Sequence, residues 1–375
     1  MSRVKITRQA GKGLTVTTLA GPELTEICAT LTHAGPAESP AGVVRRLAAL
    51  LRQRKAAVVK LDAFGAPRRL AAYSARLRSE FGAPAWPFTR VTDGAGTGAG
   101  LPGLQVHAVA GVPVRTIFLD GRPAARVYED SRARYCAAGG LVPPDARAPR
   151  PQQALAALTA LERTLGLAGM TARDLVRTWF YLDEILDWYG DFNAVRRGFF
   201  GRNGIRAALA PASTGIGAAN PGGTAVVLSA LAVRPKTRGA AARPVPSPLQ
   251  GPAPAYGSLF SRAMEPGAPG GRLLVSGTAS IGPGGGTIYA GSVNAQVAFT
   301  MKVVGALLAA RGMRWADINR AIAYFKRPAD IPAFARWLKR TGTAPFPVLV
   351  VGGAVCRGDL LFELEADAAR AGGAA

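Results

Sequence analysis

Two carboxylates set two residues apart near the end of the chain are its most chemically suggestive feature. In the run 356–365, Cys-Arg-Gly-Asp-Leu-Leu-Phe-Glu-Leu-Glu, strand alternation puts Leu361, Glu363 and Glu365 on one face. Such a pair is either two solvated charges or the start of an acid–base site. A second cluster spans 177–197, from Arg-Thr-Trp-Phe-Tyr to Asn-Ala-Val-Arg-Arg. An amphipathic helix there would bury Ile185, Trp188, Phe192 and Val195. Asn193 and Arg196, three apart, share the face beside that stripe. An arginine so placed can be drawn inward to hold a carboxylate. The run 211–217, Pro-Ala-Ser-Thr-Gly-Ile-Gly, reads as a Gly-bracketed loop, either a plain turn or an oxyanion-facing loop with two hydroxyls.

Other chemistries find little support. Gly282-Pro283-Gly284-Gly285-Gly286 has no following helix and no Lys-Ser/Thr, so it reads as a hairpin loop rather than a phosphate cradle. Two isolated histidines (His33, His107) and three cysteines (Cys28, Cys136, Cys356) build neither a metal set nor a disulfide framework, so no metal or other cofactor is expected. The first residues lack an apolar h-region and no apolar run reaches about 18 residues; the expectation is a reduced, cytoplasmic protein without a membrane span. The 375 residues carry 46 Lys+Arg against 23 Asp+Glu, a net charge of +23. The basic residues are scattered, and those at 43–78 alternate with Leu and Ala at helical spacing, as on solvated helix faces. No zinc-finger, RNP or helix-turn-helix signature accompanies them, so a nucleic-acid partner is not expected, although such a field would attract a small polyanion. A hydrophobic content of 49% with 18% charged residues excludes wholesale disorder, and the length suits two or three domains.

The elements that must position these residues repeat. Residues 170–181 align with 313–324, matching Met170 with Met313, Asp174 with Asp317, Arg177 with Arg320 and Tyr181 with Tyr324. An apolar-periodic helix precedes each stretch (Leu155, Leu158, Leu161, Leu165; Met301, Val304, Leu308), and a second helix and two β-rich runs follow. Each copy thus reads strands, helix, strand, helix, two strands. A weaker copy precedes both, with Gly-rich punctuation at 91–103. The expected architecture is α+β, built of repeated units: a degenerate unit over 1–113, a clear one over 114–236, a Pro/Arg/Ala linker over 237–255 and a C-terminal unit over 256–375. Aligning the closing strands sets Leu228 of the middle copy opposite Glu363, so one copy carries an acid where the other is apolar.

The run TWFYLDEILDWYGDFNAVR, the loop PASTGIG, the stretches YGSLFSRA (256–263) and VSGTASI (275–281) and the terminal CRGDLLFELEA (356–366) together resemble the chorismatases. That resemblance, over about residues 114–370, implies YjgF/Rid-like (bacillus chorismate mutase-like) units in a pseudo-trimeric arrangement within one chain, monomeric or homo-oligomeric. It also implies a cofactor-free enzyme acting on chorismate. Cleaving the enolpyruvyl ether without a metal requires protonating the enol methylene, hence a carboxylic acid kept neutral by apolar surroundings. The family's terminal-strand glutamate matches Glu363, among Leu360, Leu361, Phe362 and Leu364, with Glu365 expected to be dispensable. Arg134, Arg196 and Arg357 are the candidates for the two substrate carboxylates. Tyr135, Tyr181 and Tyr256 are candidates to line the ring or hold hydroxyls, Ser213 and Thr214 to donate to an oxygen, and Asn193 is a further substrate-binding candidate. Cys356, taken as a catalytic-site residue, and Ala279 would steer the product. The resemblance implies pyruvate with 3- or 4-hydroxybenzoate; the alternatives are a hydrolytic chorismatase giving a dihydroxycyclohexadiene carboxylate, a Rid-like imine deaminase and a ligand-binding protein.

Overall fold

The computed structural model describes residues 4–35, 37–93, 103–237, 241–267 and 271–371; most of the Gly-rich stretch 91–103 and part of the segment 237–255 lie outside the described residues. One topology occurs three times. The first unit comprises β1 (Lys5–Gly11), β2 (Leu14–Ala20), β3 (Thr25–Thr32), α1 (Pro40–Arg54), β4 (Ala57–Phe64), α2 (Pro67–Phe81), β5 (Phe88–Asp93) and β6 (Gly103–Ala110). The second comprises β7 (Arg115–Leu119), β8 (Arg122–Glu129), β9 (Ala133–Leu141), α3 (Arg150–Leu167), β10 (Leu175–Leu182), α4 (Ile185–Arg202), β11 (Ala212–Ala219) and β12 (Val226–Pro235). The third comprises β13 (Arg243–Val245), β14 (Ala263–Glu265), β15 (Arg272–Ala279), α5 (Val293–Ala309), β16 (Ile318–Phe325), α6 (Pro332–Thr341), β17 (Leu349–Gly352) and β18 (Phe362–Ala369). In every unit the last strand inserts between the third and fourth, and the fifth lies parallel to the fourth. A parallel pair needs a crossover, which α2, α4 and α6 supply. The α+β repeat expected from the sequence is therefore what the chain folds into.

The first helix of each unit buries an apolar stripe on its sheet: Val43, Leu47 and Leu51 in α1, Leu158, Leu161 and Leu165 in α3, Val297, Met301 and Leu308 in α5. Each such side chain contributes about 1.5–3 kcal/mol of burial. Leu155, expected on the α3 stripe, is 39% exposed because Ala154 takes the sheet-facing place. The opposite sheet faces meet centrally, where Phe64, Val91, Tyr181, Ile216, Tyr324 and Val351 from all three units form one cluster. β5 and β11 pair edge to edge (Ala218↔Asp93, Ala219↔Thr92), so the first two units share a twelve-stranded sheet. The six-stranded sheet of the third unit meets β11 through Ala212↔Ser261 and Gly217↔Ala354.

The fourth strand of each unit carries a register shift at the same place, between Val58 and Lys60, Leu175 and Arg177, and Ile318 and Arg320. A bulge re-aims the next side chain, here a cation in all three copies.

Three sequence expectations change. Residues 211–217 are not a loop: most of them form β11, because a Gly/Ser/Thr run buried between neighbouring strands needs no bulky β-formers. The segment 237–255 is not merely a linker: it supplies β13, antiparallel to β14, and Gln250, whose amide donates to the carbonyls of Ala279 and Ile281. A three-residue strand containing a proline is too short for alternation to show. Finally, Val227 pairs with Tyr181 as Glu363 pairs with Tyr324, so Val227 rather than Leu228 is the counterpart of Glu363. The acid-versus-apolar contrast between copies survives that one-residue shift.

Candidate active site

A cavity of about 390 Å³ opens between the second and third units, within the range of small-molecule sites. From α4 come Tyr189, Asn193, Arg196 and Arg197, at i, i+4, i+7 and i+8. The helix is kinked at Trp188 (φ −144°, ψ 16°), whose indole donates to the Asp183 carbonyl at 2.8 Å. β11 contributes Ser213 and Gly215, and the 256–262 segment contributes Tyr256, Ser258, Phe260 and Arg262. Gly277 and Ala279 of β15, Cys356, Arg357, and Glu363 of β18 complete the wall with Ile281.

Glu363 is 4% exposed and lies directly against Gly277. A Cβ at that glycine would fall 1.9 Å from Glu363 Oε1, so the missing side chain is what lets the carboxyl lie there. Burial raises the Glu363 pKa to about 8, the Glu365 charge adds to the rise, and Arg177 opposes it. The carboxyl is therefore mostly protonated at neutral pH. Glu365 is its opposite. Equally buried, it accepts from Arg177 Nη2 (2.7 Å), Trp179 Nε1 (2.6 Å), Thr214 Oγ1 (2.6 Å) and the Arg320 guanidinium. Burial disfavours its charge, but the two guanidiniums and the hydrogen bonds prevail and hold it below the usual carboxylate range. Two glutamates on one strand face thus differ in protonation, the arrangement that separates an acid from an anion.

The cations facing the cavity lack carboxylate partners among the described residues. Arg196 is held by Asn193 Oδ1 (2.7 Å) and Ser213 Oγ (3.4 Å) and lies over the Phe192 ring; its Nε has no partner among the described residues. Arg262 bonds the Gly251 carbonyl twice, and Arg357 bonds the Gly285 carbonyl at 2.7 Å; both guanidiniums lie 5.3 Å from the Tyr256 ring centroid. Burial lowers the pKa of Arg196 and Arg262 by desolvating their positive charge. Such a wall favours an anionic ligand. The Cys356 thiol, pushed up to about 12 by burial and by Glu363, is a neutral group at physiological pH. It is therefore no thiolate nucleophile. Among the described residues no three His, Cys, Asp or Glu side chains converge as a metal-ligand set.

Of the residues singled out in the sequence, Asn193, Arg196, Ser213, Tyr256, Ala279, Cys356, Arg357 and Glu363 line this one cavity. Four lie elsewhere. Thr214 points away from it, because strand alternation turns Ser213 and Gly215 toward the cavity and Thr214 toward Glu365. Tyr181 is on the central axis, its hydroxyl 3.4 Å from that of Tyr324. Arg134 pairs with Glu129 on an exposed surface, and Tyr135 stacks on Tyr128 at 5.0 Å. Both belong to β9, which takes in the second unit the place of β15 in the third, and so cannot reach this cavity. Glu365, expected to be dispensable, is instead the most heavily bonded acid of the site. Sequence reasoning missed Tyr189, Arg197, Ser258, Phe260, Arg262 and Gly277. The polar stripe Tyr189–Asn193–Arg196 at helical spacing was the available signal for Tyr189.

No protein-family model matches the chain. Two curated relatives do: chorismatases of Streptomyces rapamycinicus (32% identical over 216 residues, 51% of this chain and 63% of the relative) and of Streptomyces hygroscopicus (32% over 212 residues, 51% and 60%). The match thus spans less than two thirds of either relative's length. A chorismatase crystal structure at 1.08 Å resolution superposes with a TM-score of 0.62 over 92% of this chain and 98% of that one, at 20% identity. At that identity the superposition speaks for the fold. Among the described residues no helix is long and apolar enough to cross a membrane. Half of the chain is thus similar in sequence to the chorismatases, and nearly its whole length shares the fold of one of them.

Proposed function

We propose that the protein is a chorismatase, an enzyme that releases pyruvate from chorismate by general acid catalysis with Glu363 as the acid. The observation that carries this reading is a neutral, buried Glu363 carboxyl in a cavity whose arginines have no carboxylate partners among the described residues. Chorismate brings two carboxylates, which Arg196 on one wall and Arg262 and Arg357 on the other can take up in bidentate fashion. Tyr256, flanked by two of those guanidiniums, offers its ring to the substrate ring. Glu363 gives its proton to the enol methylene, which becomes a methyl group; the adjacent ether carbon becomes oxocarbenium-like, and the Glu363 carboxylate left behind is an anion beside that positive carbon. Breaking the ring-carbon–oxygen bond, with its electron pair passing to the oxygen, then releases pyruvate and leaves a ring cation, which becomes a hydroxybenzoate by losing one ring proton; the Glu363 carboxylate can take that proton back.

The product reading is pyruvate with 3- or 4-hydroxybenzoate, whose atoms together are those of chorismate with nothing added. The diol would need one added water. Cys356 and Ala279 form part of the wall, so Ala279 acts on the ring by shape and Cys356, as a neutral thiol, by shape and a weak hydrogen bond. Incubation with chorismate tests the reading: pyruvate release supports it, and chromatography of the aromatic fraction separates 3-hydroxybenzoate, 4-hydroxybenzoate and the diol. Unchanged chorismate with well-folded protein refutes it.

A further inference from the structure

The counterparts of Glu365 in the other two units are Gln105 and Ser229, paired with Asp62 and Trp179 as Glu365 is paired with Ile322. Only the third unit places a charge there, and that charge receives donors from two units. Arg177 and Trp179 reach it from β10, Thr214 from β11, and Arg320 from β16. The indole that donates to it is in turn surrounded by cations: Lys60 Nζ and the guanidinium carbons of Arg177 and Arg320 lie 4.5, 4.9 and 5.2 Å from its ring centroid. Thr214 extends the network toward the cavity. Its hydroxyl donates to Glu365 and accepts from the Gly277 amide at 3.1 Å, and Gly277 is the residue against which the Glu363 carboxyl lies.

We propose that Glu365 is a positioning residue for Glu363: clamped as a permanent anion two residues away on the same strand face, it keeps the Glu363 carboxyl in its neutral, proton-donating form, while Thr214 fixes the Gly277 backbone that cradles it. This inference rests on the reading of Glu363 as the acid. The electrostatics run in the required direction, since a like charge nearby disfavours a second ionisation. The other charged and titratable groups facing Glu365 are Asp367 on its own strand, Tyr324 on β16, Tyr181 on β10, and Lys60 and Asp62 on β4. Those facing Glu363 include Cys356, Tyr189 and Arg177. Each of these is present in the variants below unless it is the residue changed.

The test is the titration of Glu363 itself, followed without substrate by isotope-edited infrared absorption of its protonated carboxyl, alongside the pH profile of kcat/KM with chorismate. Glu365→Gln removes the anion and leaves two guanidiniums uncompensated, so the Glu363 midpoint and the alkaline limb should fall by at least one pH unit. Arg177→Gln removes an opposing cation and should move both upward. A structural lesion would not produce opposite shifts. A midpoint within about 0.3 pH unit of wild type in folded Glu365→Gln overturns the proposal, as does a downward shift in Arg177→Gln; where Glu365→Gln does not fold, Glu365→Ser, which carries the residue type of its second-unit counterpart Ser229, is judged by the same limit. Because the infrared measurement needs no turnover, shifts of the expected sign in a protein that leaves chorismate untouched would refute the chorismatase reading and leave this one standing.

Discussion

Adding a single methyl group at Gly277 tests the geometry of the acid most directly. The Cβ of Gly277→Ala would lie 1.9 Å from Glu363 Oε1, 2.9 Å from its carboxyl carbon and 3.3 Å from Thr214 Oγ1. Ordinary contact needs roughly 3.4 Å, so the carboxyl must withdraw by about 1.5 Å. The strand cannot retreat with it, because β18 is held between β15 and β16 and Glu363 is in register with both Ala279 and Tyr324. The side chain must therefore swing. Misplacing a reacting group by about 1 Å costs on the order of 10²-fold, about 2.7 kcal/mol in the barrier. The cavity arginines are untouched by the substitution, so the loss should fall on kcat with KM changed little. Pyruvate release followed in a coupled spectrophotometric assay gives both constants, and thermal unfolding checks that the protein is folded. A Gly277→Ala enzyme with kcat within threefold of wild type would show that the Glu363 carboxyl does not need its observed place, and the general-acid assignment would fail with it.

Glu363→Gln keeps size and hydrogen bonding but has no proton to deliver, so kcat should drop about 10²–10⁴-fold with KM little changed; more than half of wild-type kcat would refute the assignment. With Glu363 as the proposed acid and its pKa raised to about 8, activity should hold below that value and decline as pH rises through it, leaving an alkaline limb in kcat/KM. A profile flat from pH 6 to 10 contradicts this. The same raised value makes the folded state bind more protons between the unfolded carboxyl pKa and about 8, so this group's contribution to stability declines as pH rises across that window; Glu365, held low, contributes stability that is lost on acidification. Arg196→Lys keeps the charge but loses the fork held by Asn193, so KM for chorismate should rise several-fold; unchanged kinetics in a folded variant would reduce Arg196 to a structural role.

Much of this protein was legible in one dimension because repetition and periodicity are local properties. The matching of Arg177 with Arg320 and Tyr181 with Tyr324 reported a real equivalence: each arginine follows the same bulge, and the two tyrosines meet on the central axis. Alternation put Glu363 and Glu365 on one face, and helical spacing put Asn193 beside Arg196. Which face meets which neighbour is a different question. A loop at 211–217 would lack the alternation that separates Ser213 from Thr214, and residue type alone does not say which interface between units Arg134, Tyr135 and Tyr181 face. Above all, the sequence presents two glutamates of identical local chemistry. Only the tertiary structure makes them differ, because Arg177, Trp179 and Thr214 come from another unit, more than 140 residues away in the chain, and converge with Arg320 on Glu365 alone. Desolvation without partners leaves Glu363 neutral, whereas desolvation with four donors leaves Glu365 charged, and no pattern along a single strand encodes that difference.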